Sequence, residues 1–228
     1  MSAVEGLSTI PEVIARMRAI DASLARKDGV AIFDRLYLQV TLAVDGASAG
    51  TVFEDPQFVE RLDVVFAGLY FDAEATIASG AACPVAWRPL IETRSQRREP
   101  IQFALAGMSA HINHDLPIAI VTTCEELGLV PEDGSVVHRD YQRVDGLLAT
   151  VETHVARWFD TGLVADIEDV TPKKTDEAIA LFSLVAARDV AWGHAKLLWE
   201  IRKSATLRDG YLDMLARTTE LTARCILV

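Results

Sequence analysis

The sequence predicts an all-α fold: a bundle of about seven to eight helices forming one domain over residues 1–228, with a proline-kinked helix at its centre. Two observations carry that prediction. Apolar residues recur three and four positions apart in every long segment, and no stretch of useful length alternates apolar with polar residues as a half-buried strand would. Half the residues are apolar yet only 7% are aromatic, and Ala, Leu and Val dominate, a balance that favours packed helices.

The first helix starts at Ser8 and Pro11, and Ile14, Met17, Ile20 and Leu24 form its apolar stripe until "KDG" stops it. The second runs from about Val30 to "VDGASAG" and turns Phe33, Leu36, Tyr37, Val40 and Val44 inward. Asp55-Pro56 supplies a capping carboxylate and a first-turn proline for the third, whose stripe is Phe58, Leu62, Val65, Phe66 and Leu69. "GAACP" ends it, "PVAWRPLIE" is a short proline-bounded segment, and Glu99-Pro100 opens the next helix. "LGLVPEDGS" is a loop, and a further helix starts near Ser135 or Asp140 with Val144, Leu147, Leu148, Val151, Val155 and Trp158 on one face. Beyond "DIEDVTPKK", a surface loop or a lid, Ile179, Phe182, Val185, Trp192 and Trp199 mark one more helix. The last presents Leu207, Tyr211, Leu215, Leu221 and Cys225.

Composition narrows the function. A net charge of −11 opposes binding to a phosphate backbone, and the one basic run, "TRSQRR", reads as a solvated connector. The three cysteines are far apart and lack metal-ligand spacing, so they read as small buried hydrophobes in a reducing compartment. No uninterrupted apolar run is long enough for a membrane span, and the amphipathic N-terminus is unlike a signal peptide. The expectation is a soluble cytoplasmic protein acting on a small, largely apolar molecule, with self-association compatible with the sequence.

Chemistry concentrates in "GMSAHINHDLP", Gly107 to Pro117. On a helix His111 and Asp115 share a face and His114 adjoins Asp115. Pro117 has no N–H to give the Asn113 carbonyl, so the axis bends inside the polar cluster. The surrounding Phe103, Leu105, Met108, Ile112, Leu116, Ile118, Ile120 and Val121 are apolar nearly all round, which places the segment centrally. Buried polar groups there need partners or a cavity.

His138 and Asp140 follow in "VVHRDYQRVDGLL", where Asp140 can cap its own helix and His138 has no evident structural task. His154 reads as a half-buried surface residue; His194 shares a helix with Arg188 and Trp192, which lie one turn apart as a cation–π pair or an anion clamp.

Three readings follow. In the first, His111, Asp115 and His138 carry acid–base chemistry, the carboxylate raising the imidazole pKa; Asn113, Arg188, Trp192 and Met108 line the substrate, and isomerisation, cyclisation or elimination needs no cofactor. In the second, His111, Asp115, His138 and Asp140, with His114 as a weaker candidate, hold a divalent metal such as Zn, Fe or Mn. In the third the cluster is a structural polar knot, or part of a ligand-binding protein without catalysis.

With "FDRLYLQVT", "PVAW", "HRDYQRVDGLL" and "ARDVAWGHA", the "HINHDLP" segment resembles an uncharacterised bacterial family, domain-of-unknown-function family 5995, from roughly Ile10 to Leu198. The resemblance implies membership and no mechanism; it points to His111, Asn113, Asp115, His138 and Asp140 as the positions where such proteins look alike. The His114-Asp115 doublet resembles that of phosphohydrolase-type metal sites, but no histidine lies upstream of His111 to supply their first ligand. "HExxH", P-loop, "GxSxG" and dinucleotide fingerprints do not occur.

Overall fold

Side-chain caps and prolines set the helix starts, because they replace the backbone partners a first turn lacks. The computed structural model describes residues 7–48, 50, 52–161 and 184–228, and of residues 149–161 the backbone alone. Helix α1 spans Ile10–Ser23 and is capped reciprocally by Thr9 and Glu12, one residue later than the predicted Ser8. Helix α2 spans Gly29–Ser48. In α3, Pro56–Ser79, the Asp55 carboxylate accepts from the Phe58 N–H at 3.1 Å, and Gly80 closes the helix at φ 66°, a left-handed conformation glycine adopts without strain.

A 3₁₀ turn at Val85–Trp87 leads into α4, Arg88–Thr93. Helix α5, Pro100–Ala110, continues through a five-residue π turn, His111–Asp115, into α6, Leu116–Leu127. Helices α7 (Val136–Thr161), α8 (Leu184–Ile201) and α9 (Ala205–Ile226) complete the described chain. Counting α5 to α6 as one rod gives eight helices, with no strand among the described residues. The chain is an all-α bundle, and no described helix is long and apolar enough to cross a membrane.

The rod organises the core. Its α5 half packs Phe103 with Phe33, Phe71, Trp87 and Leu90 in one apolar cluster. Its α6 half packs Leu116 and Ile120 with Phe58, Tyr141 and Trp192 in a second. Leu38, Val40, Phe66 and Met108 touch both clusters, and the π turn lies where the rod passes from one to the other.

Two expected faces differ. On α9, Leu207 and Leu221 are 59% and 65% exposed and Cys225 is exposed, whereas Leu215, Ala216, Thr219 and Ala223 are buried. Small residues let α9 approach α5 and the Trp87 turn closely, so its large apolar side chains lie outside. On α8 the buried positions are Leu184, Arg188, Ala191, Trp192, Ala195 and Leu198, with Val185 and Trp199 half-buried. Ile179, Phe182 and the 166–174 segment lie outside the described residues, as do the side chains of Val151, His154, Val155 and Trp158.

Candidate active site

The interruption expected at Pro117 is a widened turn. The Leu116 N–H reaches back to the His111 carbonyl, five residues away, and Pro117 then opens α6 in a first-turn position where its missing N–H is harmless. Widening turns His111 and Asp115 into the interior, where they are 3% and 2% exposed.

Asp115 gathers the polar cluster. Its Oδ2 accepts from Trp87 Nε1 at 2.8 Å and faces His111 Nδ1 at 3.2 Å, while Oδ1 lies 2.7 Å from His114 Nδ1. Trp87 reaches it because the 3₁₀ turn between Pro84 and Pro89 fixes the indole against α9 and the rod. Burial pushes the Asp115 carboxyl pKa up, but hydrogen bonds and charge from His111 and His114 outweigh it and hold the group below its ordinary value. An ionised Asp115 accepts only, so Nδ1 of both histidines carries the proton.

The His111 ring is then set. Phe66 lies flat against it with centroids 3.5 Å apart and planes 5° apart, and Tyr37 meets it edge-on at 4.4 Å. Gly107, one turn earlier, admits this approach of α2: a Cβ there would lie 2.3 Å from the Phe33 ring. Burial lowers the His111 pKa more than Asp115 raises it, which reverses the expected upward shift. The ring is neutral near pH 7. Its Nε2 lone pair is buried without a hydrogen-bond partner, a condition that costs about 1–3 kcal/mol. An oriented imidazole with one nitrogen bound to a carboxylate and the other free has the form of a general base.

The remaining expected residues separate into other groups. Asn113 donates to Ser109 Oγ at 3.1 Å, and half-buried Met108 packs at the joint of the two clusters. His138 belongs to the α7–α8 contact: its Nδ1 accepts from the Gly134 N–H at 2.9 Å and its ring stacks on Trp192 at 4.7 Å. It is not among the groups bonded to Asp115. Arg188 lies over Tyr141 at 4.1 Å instead of on Trp192, donates to the Tyr141 carbonyl at 2.8 Å, and has its charge met by Asp145 at 2.5 Å. An anion clamp would need that charge free. Trp192 donates to Asp133 at 2.8 Å, and His194 pairs with the Tyr211 hydroxyl at 2.6 Å.

Asp140 does not cap its own helix, which Ser135 starts by accepting from the His138 N–H at 3.2 Å. Its buried carboxylate instead accepts from the backbone N–H groups of Glu54 and Asp55 at 2.9 and 2.6 Å and pairs with Arg143, fixing the chain that leads into α3. His111 and Asp115 are therefore not joined by His138 and Asp140 as a ligand set. Among the described residues no three His, Cys, Asp or Glu side chains converge as a metal site.

Sequence reasoning missed Trp87, Tyr37 and Phe66 as the neighbours of His111 and Asp115, and did not single out the buried carboxyls Asp34 on α2 and Asp63 on α3. Asp34 and Asp63 were visible as charges set between core positions, in "IFDRLY" and "RLDVVF". Asp34 accepts from the Tyr70 hydroxyl at 2.9 Å, and burial pushes its carboxyl up to about 8; burial likewise pushes Asp63 up to about 7.

The chain belongs to the family described as "Family of unknown function (DUF5995)", which it matches over residues 10–228, thirty residues beyond the extent suggested by its motifs. Comparison with curated proteins and with solved structures gives no match.

Proposed function

We propose that this protein is a small-molecule enzyme in which His111 is the general base and Asp115 holds its tautomer and balances the imidazolium that forms. The observation that carries this reading is the divided environment of one imidazole: Nδ1 faces Asp115, while Nε2 is buried and unpartnered among aromatic rings. Proton abstraction from a bound substrate gives isomerisation, cyclisation or elimination, and a positioned base contributes about 10²–10⁴-fold. Trp87 and His114 are positioning residues that act through Asp115. Three free cysteines fit a reducing, cytoplasmic setting.

The test is incubation of the protein with a small-molecule extract in D₂O, followed by mass spectrometry. The expected result is a compound that gains deuterium or is consumed with wild type, and about 10²-fold or more slowly with His111→Gln. No difference between wild type and variant across the extract overturns the reading.

A structural reading is favoured by one observation, the convergence of Trp87, His111 and His114 on Asp115, which ties the 3₁₀ turn to the rod. It predicts a large stability loss on replacing His111, with no change in any compound.

A further inference from the structure

The hairpin of α8 and α9 presents an apolar face that nothing among the described residues covers. Val190 and Leu197 on α8, and Leu207, Met214 and Leu221 on α9, are between 45% and 65% exposed. They form one patch. Val190 and Leu197 stand one turn either side of His194, Leu207 and Met214 one turn either side of Tyr211, and His194 Nδ1 lies 2.6 Å from the Tyr211 hydroxyl. That pair joins the two stripes side by side. Single apolar residues on a surface need no explanation, but a contiguous face of this kind marks an interaction site.

The pattern on α9 says what fits it. The stripe is Leu207, Tyr211, Met214, Thr218, Leu221 and Cys225, in steps of four, three, four, three and four. Alternating steps of three and four are the period of a seam between two helices. The steps also read the same from either end. A second α9 turned by a twofold axis level with Ala216 therefore sets Leu207 against Cys225, Tyr211 against Leu221 and Met214 against Thr218. Each layer then has a larger side chain facing a smaller one, which packs without voids. A parallel pair would set every residue against itself and leave Thr218 facing Thr218.

The flanks agree. No carboxylate stands in the stripe, and the arginines beside it carry their own counter-charges: Arg217 pairs with Asp213 at 2.7 Å, and Arg224 with Glu220 and Glu92 at 2.8 and 3.2 Å. The same twofold lays the two Arg217–Asp213 pairs antiparallel along one flank, where their dipoles attract. Gly193 and Gly210 lie inside their helices on exposed positions, and a Cβ on either would meet nothing within 4 Å. Glycine weakens a helix interior, and no described contact calls for it there; the close approach of another backbone does.

We propose that this face pairs two copies of the chain, α9 antiparallel to α9 across a twofold axis, with α8 of each copy at the margin. Such an interface is isologous, so a self-complementary stripe is what it requires. Its size is sufficient. The 22 residues of α9 span about 33 Å, and two neighbouring helices are about 20 Å wide, or about 660 Å² in plan. The relief of interdigitating side chains brings that toward the roughly 800 Å² per copy of a stable complex.

Sedimentation equilibrium tests the pairing on the full chain. At about 50 μM, above the micromolar weak end for interfaces of this size, the expected mass is twice the 24.9 kDa of one chain. Leu221→Lys buries a charge in the seam and is expected to weaken the dimer about tenfold or more, with helicity by circular dichroism unchanged because the position is exposed in the single chain. Disulfide trapping reads the register. In Leu207→Cys the new thiol faces Cys225 of the second copy, and mild oxidation is expected to link the chains. Leu207→Cys/Cys225→Ser is expected not to link, because the two 207 positions stand about 27 Å apart. A monomer at that concentration, a dimer that Leu221→Lys leaves as strong as before, or no linkage in Leu207→Cys overturns the proposal. So does linkage of wild-type chains through Cys225, the result a parallel pair would give.

Discussion

His111 has its two nitrogens in opposite circumstances, and replacing the ring by one without nitrogens separates catalysis from support. His111→Phe keeps the stack on Phe66 and the edge contact with Tyr37, removes the orphaned Nε2, and leaves Asp115 with Trp87 and His114. Urea denaturation is expected to find a stability change below about 1 kcal/mol, together with complete loss of His111-dependent exchange. A loss above about 3 kcal/mol would mark the imidazole as a structural member of the cluster. The buried aspartates make a second prediction. Their folded pKa values, about 8 for Asp34 and about 7 for Asp63, lie above the ordinary 3.8 of an unfolded chain. The native state therefore binds more protons than the unfolded one across that interval. The stability they contribute is full below pH 4 and is lost as pH rises through 7 and 8, at up to about 1.4 kcal/mol per pH unit for each group. His111 has a lowered pKa and acts in the opposite sense, gaining stability as pH rises toward 6.5. Above pH 6.5 the decline belongs to the aspartates, and Asp34→Asn, which keeps an acceptor for Tyr70, is expected to flatten it in unfolding measured from pH 6.5 to 8.5. An unchanged slope would mean that Asp34 is not held protonated.

At the scale of elements, what the sequence revealed follows from which interactions are local. Asp55-Pro56, Glu99-Pro100 and Ser135 mark helix starts because cap and proline act within one turn, and all three are where they were expected. Pro117 announced a break in the rod, but whether the backbone kinks or widens depends on what receives His111 and Asp115, and Trp87 is 28 residues away. The inward face of α9 was misread for a related reason: Ala216 and Ala223 are buried because the neighbours come close, and apolarity alone ranks Leu207 and Leu221 above them. Asp140 shows the same limit, since its partners Glu54 and Asp55 are 86 and 85 residues away. Asp140→Ala is expected to cost about 3–5 kcal/mol in urea denaturation, because two backbone N–H groups and Arg143 lose their acceptor. A change within about 0.5 kcal/mol would show that the start of α3 does not depend on it. Gly107→Ala forces a methyl into the Phe33 ring and is expected to cost about 1–3 kcal/mol, with partial recovery in Gly107→Ala/Phe33→Leu. No recovery would place the strain in the rod itself.

For the molecule as a whole, the question is whether two apolar clusters behave as one. Trp87 reports the first and Trp192 the second, and the rod that crosses between them carries His111 at the crossing. Leu38, Val40, Phe66 and Met108 belong to both surroundings, so opening either cluster exposes side chains that support the other. Cooperative unfolding of all the described helices follows from that sharing. Of the four tryptophans, variants retaining Trp87 alone or Trp192 alone are expected to give coincident urea midpoints by fluorescence. Separated midpoints would mean that the π turn is a hinge between independent units.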